Sequence, residues 1–382
     1  MIPRILVNNI KNHFFQGKAI IILGARQSGK TTMVNYLLKD YSDQVIVFNG
    51  DEPDVREIFI DATSTKLKTY IGSKKIVFID EAQRIKDIGI SIKLIVDNFP
   101  DIQVIATGSA PLDLAGEIRE PLTGRRYEYY LYPLAYEEMV QYQGRLEENR
   151  MIPHRLIYGY YPEIVTHPDN AEQRLRLLSD SYLFKDLFLF DQIKKPPILE
   201  KLIRSLAFQV GSEVSYHELA QIVGSDIKTI EKYIDLMEKA FIIFRLPSLQ
   251  KNLRNEIKKK IKIYFWDNGV LNAVVGNFND IHIRQDVGKL WENFVISERK
   301  KYLSNHSLYH KSYFWRTTQK QEIDYIEESN NLYMACEIKW NPRRKLRFSK
   351  TFCDNYPLSE TIVINPENLG DWISRIAYFL SN

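Results

Sequence analysis

Cysteine is nearly missing from this 382-residue chain, which has only Cys336 and Cys353. Two cysteines supply neither a disulfide framework nor a zinc set, and they suit a reducing compartment, so a cytoplasmic protein is expected. No apolar stretch is long enough to cross a bilayer. The opening Met1-Ile2-Pro3-Arg4-Ile5-Leu6 is broken by Asn8, Asn9, Lys11 and Asn12 before a signal-peptide core forms. No membrane partner is therefore expected. Repeats at solenoid period and low-complexity tracts are missing as well. Neither sign of charge dominates: 52 Lys and Arg stand against 48 Asp and Glu, and the net +4 is too mild to imply a nucleic-acid partner by itself. The 45% hydrophobic content over this length is enough for two or three domain cores.

What is present is concentrated first between residues 19 and 38. The run Gly24-Ala25-Arg26-Gln27-Ser28-Gly29-Lys30-Thr31 matches the phosphate-binding loop G-x-x-x-x-G-K-[ST] at every fixed position. Ala19-Ile20-Ile21-Ile22-Leu23 before it reads as a buried parallel strand, and Thr32 to Leu38 after it has helical spacing. Gly24 and Gly29 let the backbone wrap closely, so that successive N–H groups and a helix N-terminus face phosphate oxygens. Lys30 is expected on the β- and γ-phosphates, Thr31 on Mg²⁺, and Thr32 as an added phosphate contact.

Lys75-Ile76-Val77-Phe78-Ile79-Asp80-Glu81 is an apolar strand ending in two carboxylates. It looks like a Walker B strand, with Asp80 completing the magnesium shell and Glu81 taking the proton of the attacking water. A third strand, Gln103-Val104-Ile105-Ala106-Thr107, ends in Gly108-Ser109, which puts Ser109 forward as the γ-phosphate sensor ahead of Thr107. Pro121-Leu122-Thr123-Gly124-Arg125-Arg126 offers Arg125 as an arginine finger, although an exposed arginine pair is also what a solvated surface carries. A finger acting in trans implies a homo-oligomer such as a hexameric ring.

Three parts follow along the chain. Residues 1–143 alternate strands and helices, an α/β NTPase core. Residues 144–250 are mainly helical, with runs at Ala171–Leu178 and Ser181–Leu187, and Pro196-Pro197 interrupts them. There Ser215-Tyr216-His217-Glu218 is a capping box, Gly224 closes that helix, and Ser225 caps a second whose Ile227, Ile230 and Ile234 form the buried stripe. With the strand Phe241–Phe244, this predicts a winged helix-turn-helix. Lys228, Thr229 and Lys232 then face outward, beside Asp226, Glu231 and Asp235, so a DNA groove and a protein-docking role both fit; His217 reads as a surface residue.

Residues 251–382 carry Lys258-Lys259-Lys260-Ile261-Lys262 and Arg343-Arg344-Lys345-Leu346-Arg347, which either track phosphates or form a solvated face. Between them lies a predicted β-hairpin: Glu322–Ile326, a turn over Glu328–Asn331, and Leu332–Lys339. Period 2 puts Glu337 and Lys339 on one face, so a paired Asp324 could share a metal with Glu337 while Lys339 polarises water. Glu292, on a helix beginning near Lys289, is a further candidate ligand. That set suits phosphodiester hydrolysis, and an amphipathic strand also carries Glu and Lys on its wet face.

These residues resemble a known family, the prokaryotic AAA-type ATPases (AAA_14) with a C-terminal DUF4143 region. The resemblance rests on Gly24 to Thr32, Asp80-Glu81-Ala82-Gln83, Thr107-Gly108-Ser109, Gly124-Arg125, Tyr161-Pro162-Glu163, and Trp315-Arg316 through Glu322-Ile323-Asp324 to Glu337-Ile338-Lys339. It implies an AAA-like parallel sheet, a helical and winged-helix middle, and a C-terminal domain similar to PD-(D/E)xK restriction-type nucleases. It also implies ATP as the nucleotide, since no base-reading motif stands out. The glycine usual in the hairpin approach is replaced here by Gln319-Lys320-Gln321.

Three functions fit this reading. One is an ATPase coupled to the remodelling or Mg²⁺-dependent cleavage of DNA, including branched or single-stranded DNA. Another is a nucleotide-dependent protein-interaction switch with an inactive nuclease-like domain. The third is a DNA-binding regulator reading sequence through Lys228 and Lys232.

Overall fold

The computed structural model describes residues 1–108, 121–179, 196–249, 260–317, 319–329, 332–343, 348–356 and 359–375. The chain divides into two compact units, one of Arg4–Pro133 with Lys239–Phe241, the other of Met1–Pro3, Leu134–Glu238 and Ile242–Asn382.

The first unit is built on a five-stranded parallel sheet. Its strands are β1 (Ala19–Gly24), β2 (Val45–Asn49), β3 (Ile76–Asp80), β4 (Gln103–Gly108) and β5 (Arg126–Leu131), in the order β2-β3-β4-β1-β5. β1 and β4 are buried at every position, as a sheet covered on both faces requires. Helices α1 (Leu6–Lys11), α2 (Lys30–Leu37), α3 (Pro53–Phe59), α4 (Ser64–Ile71) and α5 (Ile88–Asn98) accompany it. Leu6, Val7 and Ile10 of α1 and Met33, Val34 and Leu37 of α2 share one core cluster with Ile20, Ile22, Phe78 and Ile105. Helical spacing of those apolar positions therefore fixes α1 and α2 on the sheet.

β4 lies between β1 and β3, with Ile79 opposite Ala106 and Leu23 opposite Gly108. All strands being parallel, their C-terminal ends form a single edge on which the phosphate loop and the acidic end of β3 both emerge.

The second unit begins with α6 (Tyr136–Gln143), α7 (Arg145–Tyr158), α8 (Pro162–Thr166) and α9 (Ala171–Leu178). The expected Ser181–Leu187 helix lies outside the described residues. Next come α10 (Pro196–Phe208), β6 (Glu213–Val214), α11 (Tyr216–Val223), α12 (Ile227–Lys239), β7 (Ile243–Pro247) and β8 (Ile261–Phe265), the strands pairing in the order β6-β8-β7. Ser215 caps α11 by accepting from the Glu218 N–H, and Gly224 closes it in the left-handed conformation.

Two expectations for α12 change. Its first turn is capped by Asp226, whose carboxylate accepts from the Thr229 N–H at 2.8 Å, not by Ser225, because aspartate reaches the third amide with an ionised oxygen. Ile227 is 45% exposed, and the buried stripe is Ile230, Tyr233, Ile234 and Met237.

After α13 (Asn268–Val275) and α14 (Val287–Asn305) the chain forms a mixed four-stranded sheet. It comprises β9 (Lys311–Arg316), β10 (Glu322–Ser329), β11 (Leu332–Ile338) and β12 (Ser359–Ile364), in the order β12-β11-β10-β9. β10 and β11 form the expected antiparallel hairpin, and β10 continues through Ser329, beyond the point where the turn was expected. α15 (Lys350–Asn355) and α16 (Leu369–Ile373) complete the unit. Behind the sheet, fully buried Arg299 and Glu327 form a two-armed ion pair at 2.6 and 2.7 Å, and His310 and Tyr325 complete the carboxylate's partners. Burial opposes ionisation of Glu327, yet Arg299 and His310 outweigh it and hold the carboxyl down at about 2.

Candidate nucleotide site and the C-terminal charge cluster

Ala25 to Gly29 wrap the end of β1. A methyl group on Gly24 would lie 2.0 Å from the Leu131 carbonyl oxygen of β5, so only glycine allows the loop to leave the sheet here. Gly29 turns at φ +90° and starts α2. Lys30 is buried and folds back over the loop, donating to the carbonyls of Gly24 at 3.0 Å and Ala25 at 2.9 Å. Two buried loop atoms, Gln27 Oε1 and Ser28 Oγ, have no protein hydrogen-bond partner. Thr31 and Thr32 stand exposed at the start of the helix.

Asp80 lies across the edge from Thr31, whose hydroxyl donates to its Oδ2 at 2.8 Å. The Thr107 hydroxyl of β4 donates to Asp80 Oδ1 and accepts from the Glu81 N–H at 3.3 Å. Asp80 is thus held by two neutral hydroxyls. Glu81 sits in the left-handed region at φ +49°, an uncommon state for a non-glycine residue. Its backbone is wedged by Gly50, where a methyl would approach the Glu81 carbonyl oxygen to 2.4 Å. The Glu81 carboxylate accepts from Gln83 Nε2.

The hard oxygens of Thr31 and Asp80, side by side at the sheet edge, fit Mg²⁺. Buried donors, loop amides and the helix N-terminus fit phosphate oxygens.

Of the two sensor candidates, the structure describes only Thr107. Ser109 lies outside the described residues, while Thr107, ranked behind it from the sequence, makes both contacts to the acidic turn. Arg125 is not brought to this loop. It precedes β5 at the end paired with Ala19, five residues of β1 from Gly24, and it binds Asp97 at 2.6 Å. The parallel register that joins Thr31 to Asp80 places Arg125 at the opposite edge of the same sheet.

In the second unit Asp324 faces Glu337 and Lys339, as the hairpin predicted. Lys339 Nζ lies 2.8 Å from Asp324 Oδ2 and 2.9 Å from Glu337 Oε2, and the Ile338 N–H donates to the same Asp324 oxygen at 2.8 Å. Burial first, then Asp324, pushes the Glu337 carboxyl up to about 7. Lys320, where the family's approach glycine is replaced, takes φ +63° and supplies the left-handed turn that glycine otherwise provides.

Among the described residues no three carboxylate, imidazole or thiol groups come together to hold a metal ion, so Glu292, Asp324 and Glu337 do not form such a group here. A second lysine stands among these carboxylates. Lys262, only 1% exposed, lies 2.6 Å from Glu322 Oε1 and 3.2 Å from Glu292 Oε1, and Tyr264 donates to Glu292 at 2.6 Å. Burial works against the Lys262 charge, but Glu292 and Glu322 outweigh it and raise its pKa. Each of the two ammonium groups thus bridges a pair of carboxylates.

The basic runs also change. Lys260 is exposed and paired with Glu213, Lys262 is buried, Arg343 is exposed, and Lys258, Lys259, Arg344, Lys345 and Arg347 lie outside the described residues. Strand alternation of Lys260, Lys262 and Tyr264 against Ile261, Ile263 and Phe265 is the sequence signal that could have found Lys262.

A parallel sheet with β4 between β1 and β3, a phosphate loop, and an acidic turn facing its threonine define an AAA-type P-loop nucleotide-binding domain. Residues 16–140 match the family profile of an AAA domain. Residues 149–281 and 287–381 match two domains of unknown function, DUF8612 and DUF4143. The chain thus carries an AAA domain followed by a C-terminal DUF4143 region. An uncharacterized protein of Mycobacterium tuberculosis is 26% identical over 339 residues, covering 86% of this chain and 72% of the relative. One of Haemophilus influenzae is 24% identical over 283 residues, covering 67% and 69%. Among solved structures, a Walker-type ATPase of Pyrococcus abyssi aligns with 70% of this chain and 94% of its own at 15% identity and TM-score 0.48. The Thermotoga maritima RuvB Holliday junction branch migration motor aligns with 67% and 95% at 14% identity and TM-score 0.32. No described helix is long and apolar enough to cross a membrane.

Proposed function

We propose that the chain hydrolyses ATP and couples turnover to DNA binding, with its C-terminal sheet serving as a non-cleaving platform. The observation that carries the ATPase reading is the Thr31–Asp80–Thr107 arrangement beside the phosphate loop. Loop amides from Ala25 to Thr32 and the Lys30 ammonium would hold the phosphates. Thr31 and Asp80 would hold Mg²⁺, which supplies charge neutralisation at the phosphates. Glu81 would orient the water and take its proton, with Gln83 fixing the carboxylate. Thr107 would report on the acidic turn.

The DNA reading is supported by the order helix, strand, helix, helix, strand, strand from α10 to β8, which is that of a winged helix, and by exposed Lys228 and Lys232 on α12. The ammonium-bridged carboxylates favour binding over Mg²⁺-dependent cleavage, so Asp324, Glu337 and Lys339 act here as a structural ion cluster. Protein docking on α12 is a second reading, favoured by exposed Ile227 and by Asp226 and Glu231 on the same helix.

Because Arg125 lies at the edge away from its own loop, a finger role for it belongs to a neighbouring copy, and a homo-oligomeric ring is proposed in that form. The domain division 1–143, 144–250 and 251–382 is kept as a proposal for where the three activities reside.

The test is ATP hydrolysis by the purified chain with and without duplex, single-stranded and branched DNA, with DNA product analysis in Mg²⁺ and Mn²⁺. DNA-stimulated turnover without cleavage is expected. Unstimulated turnover with a bound protein partner favours the switch, and nicking lost in Asp324→Ala overturns the platform reading. A hydrolysis rate independent of protein concentration in a strictly monomeric sample rules out the ring.

A further inference from the structure

Arg4 stands alone among Ile2, Pro3, Ile5 and Leu6 in the sequence, yet its guanidinium is directed at the phosphate loop. It is 8% exposed, and its two terminal nitrogens donate to the Ser28 carbonyl at 2.8 Å and the Tyr132 carbonyl at 2.7 Å. The backbone beneath it is fixed: the Val7 N–H donates to the Arg4 carbonyl at 3.2 Å, and Leu6, Val7 and Ile10 sit in the core beside α2.

We propose that Arg4 is a positioning residue of the nucleotide site that sets the direction of the loop's last amides. All peptide bonds described are trans, so the Ser28 carbonyl and the Gly29 N–H of one peptide point in opposite directions. Drawing the Ser28 oxygen to Arg4 turns the Gly29 N–H the other way, and Gly29 is the residue from which α2 starts. The two ends of the loop share one abutment. Gly24 at its entry presses on the Leu131 carbonyl, and Ser28 at its exit is tied through Arg4 to the next carbonyl, Tyr132. The loop is thereby referenced to the end of β5 at both ends, and a buried cation lies behind a site for anionic oxygens.

This inference rests on the nucleotide-site reading above. Its test uses the full chain, nucleotide-free, titrated calorimetrically with ADP and with ATP in Mg²⁺, alongside steady-state ATPase kinetics. Arg4→Ala is expected to weaken nucleotide binding about 10- to 100-fold, the equivalent of one charge-assisted hydrogen bond, and to raise KM with kcat within about threefold. Millimolar guanidinium should restore part of the affinity in Arg4→Ala and none in the parent. Arg4→Lys keeps the charge but loses the two-armed fork, and should bind between the two. A residue holding only the fold would lower the unfolding temperature and leave KM unchanged. Folded Arg4→Ala with parental affinity overturns the proposal, and if Arg4→Ala does not fold, parental affinity in Arg4→Lys does so. A parent chain that binds no nucleotide defeats the ATPase reading instead, which separates the two failures.

Discussion

The phosphate loop and the C-terminal cluster use the same side chains, lysine, aspartate and glutamate, to opposite ends. At the loop, Asp80 is held by the neutral hydroxyls of Thr31 and Thr107, and Lys30 by the carbonyls of Gly24 and Ala25. The hydrogen bonds of Asp80 to two neutral hydroxyls leave its carboxylate directed at the edge where a metal would sit. In the C-terminal sheet, Lys339 lies on Asp324 and Glu337, and Lys262 on Glu292 and Glu322. There each lysine is shared between two carboxylates of the protein itself. A site for charged ligands needs its charges positioned by neutral partners; ion pairs make a scaffold.

Breaking the loop side should give the largest effects. Lys30→Ala or Asp80→Asn is expected to lower ATP hydrolysis by about 10³-fold or more, while Asp324→Ala leaves the rate unchanged, measured by phosphate release. Glu81→Gln should keep nucleotide affinity and lose about 10²- to 10⁴-fold in kcat, the loss expected of a missing general base. Equal losses from Asp324→Ala would erase the distinction between the two regions.

On the scaffold side the readout is stability. Lys262→Met leaves buried Glu292 without its cation and takes from Glu322 the nearer of its two, Arg316 remaining at 3.7 Å, and should cost about 3–5 kcal/mol in chemical denaturation. Thr107→Val sharpens the comparison at smaller scale. It removes one donor from Asp80 and should cost about 1 kcal/mol of stability together with roughly tenfold in kcat.

The smallest effect concerns pH. Glu337 has its carboxyl raised to about 7 in the folded chain, above its unfolded value, so the folded state binds the proton more tightly. Its contribution to stability is complete below about pH 4.3, the ordinary glutamate value, and is lost as pH rises through about 7. Denaturation between pH 5 and 8 should show that decline, and Glu337→Gln should flatten it.

How much was legible follows from how local each feature is. The phosphate loop and the Asp80-Glu81 turn are contiguous segments in which strand, turn and helix are written in adjacent residues. The hairpin placing Asp324 opposite Glu337 was legible for the same reason, because alternation along two neighbouring strands fixes a shared face. That Thr107 meets Asp80 was not legible, because residue type alone cannot tell which hydroxyl reaches the acidic turn across β4. Lys262 was read within a charge run as phosphate-tracking or solvated, since composition carries no burial, and the strand alternation around it went unused. The sheet register that places Arg125 at the far edge from its own loop was not legible in its sequence neighbourhood.

The sequence by itself therefore determined the chemistry within reach of one turn or one strand: a loop for phosphate, a strand ending in carboxylates, and a hairpin with acidic and basic residues on one face. The tertiary structure decided which of those charges remain free to act. Thr107 reaches Asp80 over 27 residues, Lys262 reaches Glu322 over 60, and Arg4 reaches Tyr132 over 128. Such pairings are set by sheet order and core packing, and electrostatic partnership depends on separation in space, to which the linear order of the residues is blind.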